Sequence, residues 1–402
     1  MHIMKNLNTT TLLAAGTCAM IAASAANAGV FTAGNLLVSR YGDGLTAPST
    51  AAAAVAINEY TTAAGQSSAV QSIAFATTGA NQFTDSGNAT SNGYLNTYNG
   101  YVAISGYNAA AGTASVAGSN NKAVQVLDST GNVVNRAVFP TGGAAGSPPS
   151  PFSGNNIRSA IATSATNFYA TGTSAGSPNT GGAWYNNGTS YTQVSSTATG
   201  QPTNVRNVGI FGGQLYASAA SGTNLGVVAI GSGLTTSANQ TSTLFINAGT
   251  GASTYGFVMF DTNQDGGVDL AYLADDRTTA GGGLQKWMLV SGTWTQSWSR
   301  LVNSTGTLSG TAATGFAGIR GLTGTWDAVN GAQLYATTTE ATNNRLISIV
   351  DNGSTPTLAT NLASAGTNYV FRGVAFTPGA VPAPGALALL GVAGLVGSRR
   401  RR

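Results

Sequence analysis

The sequence is nearly devoid of the residue types that carry most enzyme chemistry. Its 402 residues include one histidine and one cysteine, His2 and Cys18, and both lie close to the N-terminus. Ser-His-Asp triads, Cys-His pairs, histidine-ligated zinc sites and histidine general bases all need these side chains. The rest of the chain contains neither residue, so it cannot form such sites. It also cannot be stabilised by disulfides.

The N-terminal segment has the pattern of a secretory signal peptide. A short polar region precedes an apolar stretch from about Leu12 to Ala23, and an A-x-A cleavage pattern ends at Ala28. Residues 1–28 are therefore predicted to form a signal helix that directs export by the Sec machinery and is removed by signal peptidase. A retained membrane anchor is the alternative, although the apolar stretch is short for a span. Cleavage before Gly29 would leave a mature protein without histidine or cysteine.

The C-terminal segment, residues 381–402, has the sequence VPAPGALALLGVAGLVGSRRRR. Its apolar run from Ala386 to Gly397 would form a hydrophobic helix of about 18 Å, which is short against a hydrocarbon core of about 30 Å. Pro382 and Pro384 precede this run. Four arginines follow it: Arg399, Arg400, Arg401 and Arg402. Such a basic cluster is a positive-inside signal, which would hold the tail in the inner membrane while the body is exported.

This hinge, helix and arginine cluster resemble the PEP-CTERM sorting signal of bacterial surface proteins, with Val-Pro-Ala-Pro in place of the family's Pro-Glu-Pro. The resemblance implies that an exosortase-type membrane peptidase cuts at the hinge and releases the body to the cell surface or the extracellular matrix. Pro382 and Pro384 would then be the recognition residues. A simple tail anchor without processing is the alternative.

Charged residues are scarce, at 7% of the chain, and the net charge of +4 comes from the two targeting segments. Lys5 and the four C-terminal arginines account for five of the 16 basic residues, which leaves 11 against 12 acidic residues in the body, residues 29–380. A nearly neutral body lacks the basic surface that nucleic-acid binding requires. Nucleic acid is therefore not a predicted partner.

The body lacks long helical periodicity and is predicted to be all-β. Short apolar runs alternate with Asn-Gly, Gly-Gly and Asp-Gly turns, as expected for antiparallel hairpins. Eight runs are predicted strands: NLLVSRY, AVQVLD, QLYASAA, LGVVAI, TLFINAG, YGFVMFD, RLISIVD and YVFRGVAF.

Internal repeats predict a single β-propeller. An apolar-arginine step, followed in three copies by a second strand with an aromatic-alanine pair, recurs around Arg158, Arg206, Arg320 and Arg372. A segment starting at Ser253 fills the missing copy. A period of about 50 residues with about four strands is typical of propeller blades, whereas a β-solenoid repeats every 20–30 residues or so. We expect about six blades, with seven as the alternative, and a last strand that joins the N-terminal strands to close the ring.

The body also resembles a recurring kind of secreted bacterial propeller protein that carries this sorting signal. The resemblance rests on VSRYGDG at Val38, NGYVAISGYNAA at Asn99, FGGQLYASAASG at Phe211 and FRGVAFTP at Phe371. It implies the fold and the location, and such proteins mostly have no known activity.

The stretch from Asp261 to Asp276 holds five of the twelve acidic residues of the chain. It joins two predicted strands, so DTNQDGGVD is predicted to be a hairpin turn with Gly266 at its bend. Its spacing resembles the calcium hairpins of integrin-type propeller blades, which implies a structural Ca²⁺ ion. The side-chain ligands would be Asp261, Asn263, Asp265 and Asp269. An ion-free turn, in which these side chains accept hydrogen bonds from backbone N–H groups, is the alternative.

Three other groups of residues have both a functional and a structural interpretation. The repeated arginines would bind an anionic ligand in a central channel, or they would be hydrogen-bonding posts between blades. Trp287, Trp294 and Trp298 would form a platform for sugar rings or pack between blades, and strand alternation puts Trp294 and Trp298 on one face. Asp275 and Asp276 are expected to pair with Arg277 or with the next hairpin.

Three classes of function follow from these features. The first is an exported, non-enzymatic surface or matrix protein that binds exopolysaccharide or another envelope component. The second is a propeller hydrolase or lyase, which the absence of histidine weakens. The third is a sensor that binds a ligand or ion in the central channel. Acids and arginines that converge on the channel would favour the second or third class, and a lining of Ser, Thr and Gly would favour the first.

Overall fold

The computed structural model describes residues 29–119, 121–139 and 150–379. These ranges are all-β, apart from one short helix, α1 (Val116–Ser119). The predicted signal helix in residues 1–28 and the predicted hydrophobic helix in residues 381–402 both lie outside the described residues.

The first eight strands belong to one sheet. They are β1 (Leu36–Tyr41), β2 (Ala52–Tyr60), β3 (Gln71–Ala74), β4 (Thr84–Ser86), β5 (Leu95–Tyr98), β6 (Tyr101–Tyr107), β7 (Lys122–Leu127) and β8 (Val133–Phe139). Strand β2 pairs with β1, β3 and β4, and strand β6 pairs with β4, β5 and β7. The pairing of β7 with β8 completes this part of the sheet.

Four further antiparallel sheets follow, and each contains a four-stranded meander. The first contains β9 (Ile157–Ala162), β10 (Phe168–Gly172), β11 (Gly182–Asn186) and β12 (Tyr191–Gln193). The second contains β13 (Val205–Phe211), β14 (Gln214–Ser221), β15 (Asn224–Ile230) and β16 (Ser242–Asn247). The third contains β17 (Thr254–Phe260), β18 (Leu270–Asp275), β19 (Gly283–Val290), β20 (Thr293–Asn303), β21 (Leu308–Ser309) and β22 (Phe316–Ala317). The fourth contains β23 (Ile319–Asp327), β24 (Gly331–Thr338), β25 (Arg345–Asp351) and β26 (Thr360–Ser364).

Two-residue turns connect many of these strands. Gly212 and Gly213 have φ values of +55° and +74°, and Phe211 pairs with Gln214 across them. Positive φ at both central residues is what a type I′ hairpin turn needs, and glycine adopts it without steric penalty. All eight strands that the sequence predicts are present, and each is flanked by turns of this kind or by short loops.

The last strand, β27 (Val370–Phe376), pairs antiparallel with β1, and this confirms the predicted closure by the C-terminal strand. Six strands contact one another in the order β27, β5, β9, β13, β17 and β23, and β23 contacts β27 in turn. Strands β27 and β5 belong to the nine-stranded sheet, and the other four are the first strands of their sheets. We call these six the first strands. The strands thus form a closed ring with a β-propeller-like arrangement.

The predicted number of blades does not follow from strand pairing alone. The four meanders are separate sheets, and each has the form of a blade. The N-terminal strands and β27, however, form one continuous nine-stranded sheet, because the short strand β4 pairs with both β2 and β6. Strand pairing therefore supports four separate blades rather than the predicted six or seven.

Apolar side chains pack between neighbouring sheets. Ala103, Val124 and Val126 of the N-terminal sheet, for example, contact Phe168 and Trp184 of the next sheet in one buried cluster. Full burial of a large apolar side chain stabilises a fold by roughly 1.5–3 kcal/mol. These contacts between sheets replace disulfides, which the described residues lack because they contain no cysteine.

Candidate functional site

The four repeated arginines lie near the start of the first strands, on one level of the ring. Arg158 is on β9, Arg206 on β13, Arg320 on β23 and Arg372 on β27. Two tyrosines complete this level: Tyr255 on β17 and Tyr94 immediately before β5. We call these six residues the arginine-tyrosine cluster.

Glycines allow the first strands to approach closely at this level. A Cβ atom on Gly256, next to Tyr255, would lie 2.7 Å from the Arg320 carbonyl oxygen. A Cβ atom on Gly373, next to Arg372, would lie 2.6 Å from a backbone oxygen beside Tyr94. Real Cβ atoms do not approach this closely, so only glycine permits these strand contacts.

The two tyrosines meet inside the ring. Tyr94 precedes β5 and Tyr255 lies on β17, and these strands are not neighbours in the ring, yet the centroids of the two aromatic rings are 6.5 Å apart. The Thr90 and Tyr255 hydroxyl oxygens lie 3.2 Å apart. The guanidinium carbons of Arg206 and Arg320 lie 4.0 Å and 5.7 Å from the centroid of Tyr255, within the range of cation-π contacts.

Arg158 and Arg206 connect neighbouring sheets. Arg158 donates to the side-chain oxygen of Asn204 and, at 3.4 Å, to the Val205 carbonyl. Arg206 donates to the Ser253 hydroxyl and to the Thr254 carbonyl, both at 3.0 Å. In each case the acceptors lie at the start of the next sheet, so both arginines have the structural role that the sequence offered as one alternative.

Arg372 and Arg320 contact carboxylates, but with different geometry. Arg372 lies 3.2 Å from the Asp85 carboxylate and also donates to two backbone carbonyls at 2.6 Å and 2.7 Å. Arg320 lies 3.5 Å from Asp276, and its bond to the Thr339 carbonyl is also 3.5 Å long. Both distances are at the upper limit of hydrogen bonding, so Arg320 is held more loosely than Arg372.

Burial dominates the electrostatics of the cluster. It raises the pKa of Asp85 to about 6, although Arg372 and hydrogen bonds from Asn92 and Ser86 act in the opposite direction. Burial, with the neighbouring charge of Arg206 as the next cause, lowers the pKa of Arg158 to about 10. Burial also raises the pKa of the Tyr94 hydroxyl well above its usual value. Charged groups in this region are thus poorly solvated.

The closed ring has cavities at two levels. At the level of the arginine-tyrosine cluster, a cavity of about 290 Å³ is lined by Arg320 and Arg372 together with Asn88, Thr90 and Thr339. Further along the first strands, a cavity of about 260 Å³ takes its lining from β5, β9, β13, β17, β23 and β27. We call the first the arginine cavity and the second the aromatic cavity, since Phe211, Phe257 and Phe376 line the latter.

The predicted calcium ligands lie in the hairpin between β17 and β18, and their oxygens accept hydrogen bonds within the loop. Asp261 accepts from the backbone N–H of Gly266 at 2.8 Å, and Asp265 accepts from that of Gly267 at 2.8 Å. Asp269 accepts from the backbone N–H and the hydroxyl of Thr262. Asn263 accepts from the backbone N–H of Asp265.

In the described residues, no three Asp, Glu, His or Cys side chains are close enough together to hold a metal ion. The loop side chains make the hydrogen bonds of the alternative Asx turn, although Asp261 Oδ1 is buried without a partner among the described residues. Calcium binding stays a prediction. The expected pairing of Asp275 with Arg277 is confirmed at 2.7 Å, and Asp276 pairs with Arg320 rather than with Arg277.

The prediction that Trp294 and Trp298 share a face is wrong. Lys286 pairs with Trp298, but the next residue, Trp287, pairs with Gln296, so β20 carries an extra residue at Ser297. This bulge turns the two side chains to opposite faces. Trp298 lies in the cluster with Tyr272, and Trp294 packs against Phe245 with 5.6 Å between centroids. Trp287 is buried in the cluster against which Phe245 and Trp294 pack. The tryptophans therefore pack between sheets and form no sugar platform.

The sorting-signal residues Pro382, Pro384, Arg399, Arg400, Arg401 and Arg402 lie outside the described residues. No helix in the described ranges is sufficiently long and apolar to span a membrane.

Sequence reasoning missed Tyr94, Tyr255 and Asp85, whereas it predicts that Asp276 pairs with Arg277 or with the next hairpin. The sequence does contain a signal for Tyr255. Among the first strands, the five from β9 onward each have an arginine or tyrosine followed by serine, asparagine or glycine. The pairs are Arg158-Ser159, Arg206-Asn207, Tyr255-Gly256, Arg320-Gly321 and Arg372-Gly373. No such pair marks Tyr94, which is followed by Leu95.

Comparison with known proteins finds no family model that matches the chain and no curated protein with a matching sequence. The geometry of the two cavities is thus the basis for inference about function.

Proposed function

We propose that the protein is an exported, non-enzymatic binding protein of the cell surface or extracellular matrix, with exopolysaccharide or another envelope saccharide as its ligand. In this proposal residues 1–28 are the export signal and residues 381–402 the sorting segment, which anchors the body in the inner membrane until a peptidase cuts near Pro382 and Pro384. The saccharide binds in the aromatic cavity.

We further infer that the propeller has six blades, counting the nine-stranded sheet as two. Two facts support this count. Six first strands contact one another in a closed order. In addition, Leu37, Val55 and Ile57 of the β1–β2 part pack in one buried cluster against Val102 and Ile104 of β6. Such packing is expected between the faces of two blades rather than within one flat sheet.

The lining of the aromatic cavity carries the saccharide proposal. Asn96, Thr97 and Thr323 are its polar side chains, and three phenylalanines provide apolar rings. The Asn96 amide N–H groups and the Thr97 hydroxyl already donate within the fold, which leaves the Thr323 hydroxyl and the acceptor oxygens for a sugar. Sugar recognition combines such directional polar groups with flat apolar faces. No charged side chain is among the described residues that line this cavity, which suits a neutral sugar unit.

Arginines converge at one level of the ring, which matches the expectation for the second or third class of function, but the hydrolase or lyase alternative has less support than binding. A glycosidase needs two carboxyl groups on either side of the scissile bond, one of them able to donate a proton. Asp85 and Asp276, the carboxylates that contact the arginine-tyrosine cluster, are each engaged by an arginine. Burial raises the pKa of Asp85 to about 6, but neither Asp85 nor Asp276 is among the described residues that line the arginine cavity or the aromatic cavity.

Titration calorimetry of the purified protein with neutral and acidic exopolysaccharide fragments tests the binding proposal. Thr323→Val removes a hydroxyl from the cavity while keeping side-chain shape, so we expect affinity to fall at least threefold. Thr243→Val, on the exposed surface of β16, is the matched control and should bind like the wild type. Release of reducing ends during incubation would favour the hydrolase alternative instead.

Intact-mass analysis of the extracellular protein tests the sorting proposal. We expect a chain that begins at Gly29 and ends near Pro382 to Pro384. An extracellular form that still carries Arg402 would contradict processing at the hinge.

A further inference from the structure

Three arginine charges act on the Tyr94 hydroxyl, but only one of these arginines pairs with a carboxylate. The charges of Arg158, Arg206 and Arg320 all act on this hydroxyl. Arg320 has a carboxylate partner, Asp276, at 3.5 Å. Arg158 and Arg206 donate to neutral acceptors, and neither forms an ion pair with any described residue. Three guanidinium groups thus share one loosely held carboxylate.

Several donors in the same place are buried without a partner. The Tyr94 hydroxyl, the Arg158 Nε and the Arg320 Nε are inaccessible to solvent and form no hydrogen bond with the described residues. Tyr94 is 4% exposed and Arg158 is 8% exposed. Buried polar groups are nearly always hydrogen-bonded in folded proteins, so three unpaired donors in one cluster favour this place for an acceptor, a water molecule or a ligand.

The arginine cavity gives a small ligand access to the edge of this cluster, where Arg320 and Arg372 line the cavity, whereas Tyr94 and Arg206 do not. Its volume of about 290 Å³ exceeds that of a single oxyanion, and Arg320 lies in its wall. Thr90 also lines the cavity, and its hydroxyl is 3.2 Å from that of Tyr255, the ring that Arg206 and Arg320 both approach.

We propose that the arginine-tyrosine cluster binds the oxyanion group of a small ligand, a carboxylate, sulfate or phosphate, that enters through the arginine cavity. Arg206 and Arg320 provide the charged donors, and the hydroxyls of Tyr94 and Thr90 provide neutral ones. A guanidinium group matches the planar, two-oxygen edge of such an anion and binds it more strongly than a neutral donor does. This site goes beyond the proposed function, because it lies at another level of the ring from the aromatic cavity.

A purely structural role explains less of this geometry. The bonds of Arg158 and Arg206 to the next sheet use one terminal nitrogen of each guanidinium group. They leave the other donors of these arginines available, and they do not account for the buried Tyr94 hydroxyl. A bound oxyanion would accept hydrogen bonds from these remaining groups.

Calorimetric titration and thermal melting with inorganic phosphate, sulfate and glucuronate test the proposal, with sodium chloride at equal ionic strength as the reference. We expect saturable binding of at least one anion by the wild type and at least a tenfold loss of affinity in Arg320→Gln. Arg300→Gln is the matched control, because Arg300 is a partly buried arginine that donates to backbone carbonyls on β20 and in a loop, away from the cluster. This control should bind like the wild type.

Tyr94→Phe keeps the test decisive if the arginine variant fails to fold. It removes a buried hydroxyl that has no partner among the described residues, so the variant should fold at least as stably as the wild type. We nevertheless expect it to bind the anion about fivefold more weakly. A purely structural cluster would show unchanged anion binding in this variant.

Comparison of the three anions shows which kind of ligand carries the charged group. Saturable binding of phosphate or sulfate supports a free oxyanion or an ester, and preference for glucuronate supports an acidic sugar. A non-saturable response that is equal in wild type, Arg320→Gln and Arg300→Gln overturns the proposal. If the protein then still binds a neutral saccharide in a Thr323-dependent manner, the proposed function survives without the anion site.

Discussion

The acidic loop and the arginine-tyrosine cluster are both groups of like charges, but they are stabilised in different ways. Asp261, Asp265 and Asp269 are close in sequence, and their oxygens accept hydrogen bonds from neighbouring N–H and hydroxyl groups of the same loop. The arginines are about 50 residues apart in a repeating pattern, and the ring of first strands brings them together. The loop is largely exposed, whereas much of the cluster is buried.

This difference indicates where binding energy is available. In the loop, local donors and water satisfy most carboxylate oxygens, although Asp261 Oδ1 is buried without a hydrogen bond among the described residues. An added ion would have to displace several hydrogen bonds that already exist. In the cluster, burial removes water, and the fold leaves donors without acceptors. A conspicuous cluster in the sequence is therefore the weaker candidate for a binding site, and the dispersed repeat is the stronger one.

The largest effect is expected from breaking the buried ion pair of the cluster. Arg372→Leu leaves the Asp85 carboxylate, which is 0% exposed, without its cationic partner. Removal of one member of a buried pair typically destabilises a protein by about 3–5 kcal/mol. Urea denaturation at pH 8 should show a loss of this size. The double variant Arg372→Leu with Asp85→Asn should recover part of it, and equal losses in the single and double variants would contradict the assignment.

The same variant should be sensitive to pH. The pKa of Asp85 is about 6 in the folded protein and 3.8 in its ordinary state, so folding favours the protonated form. Its contribution is fully present below pH 3.8 and is lost as the pH rises through about 6. Without Arg372 the folded-state pKa should rise further. Arg372→Leu should therefore be less destabilising, relative to wild type, at pH 5 than at pH 8.

Replacing each of the two tyrosines by phenylalanine should change stability by a smaller amount, with opposite signs for the two variants. Tyr94→Phe removes a buried hydroxyl without a partner among the described residues and should stabilise the protein by about 1 kcal/mol. Tyr255→Phe removes the bond to Thr90 and should destabilise it by about 1 kcal/mol. Equilibrium denaturation of the two variants checks this. Equal effects of the same sign would show that the Tyr94 hydroxyl has a partner in solution.

In the acidic loop, single substitutions should have modest effects. Asp269→Ala removes the acceptor for the N–H and hydroxyl of Thr262 and should cost about 1 kcal/mol. Asp265→Ala removes bonds in an exposed part of the loop and should cost a few tenths of a kcal/mol. Both values follow from urea denaturation in chelator. A much larger loss for Asp265→Ala than for Asp269→Ala would disagree with the observed hydrogen bonds.

The smallest effect is expected from calcium. Most loop oxygens already accept local hydrogen bonds, which a bound ion has to displace, so we expect Ca²⁺ to raise the melting temperature over that in chelator by only about 1 °C. Loss of this rise in Asp265→Ala would support the ligand set Asp261, Asn263, Asp265 and Asp269. Equal melting temperatures of the wild type in Ca²⁺ and in chelator would support the ion-free Asx turn.

The sequence predicts much of this fold, because its signals are local and repeated. Alternating apolar residues and glycine turns identify the strands, and the period of about 50 residues indicates a propeller and places four arginines on equivalent strands. Pairing of β27 with β1 also follows from the repeat, since the last copy contains only its first half. Each of these inferences depends on residues within one repeat.

The features that the sequence does not predict depend on contacts between repeats. Tyr94 joins the cluster because β5 takes its place in the ring of first strands, and the residues around β5 lack the arginine motif. Asp85 lies on β4, a three-residue strand in a segment of mainly small and polar residues. The bulge at Ser297 depends on the register between β19 and β20, which neighbouring sheets constrain. These three features depend on packing between strands and sheets rather than on the local sequence pattern.

A crystal structure of the protein with selenate tests the central claim most directly, because anomalous scattering from selenium locates a bound oxyanion without ambiguity. We predict a selenium peak in the arginine-tyrosine cluster, within hydrogen-bond distance of Arg206, Arg320 and the Tyr94 hydroxyl. The peak should be missing in crystals of Arg320→Gln and present in those of Arg300→Gln. Selenium peaks confined to the outer surface, with none in the cluster of the wild-type protein, would contradict the claim.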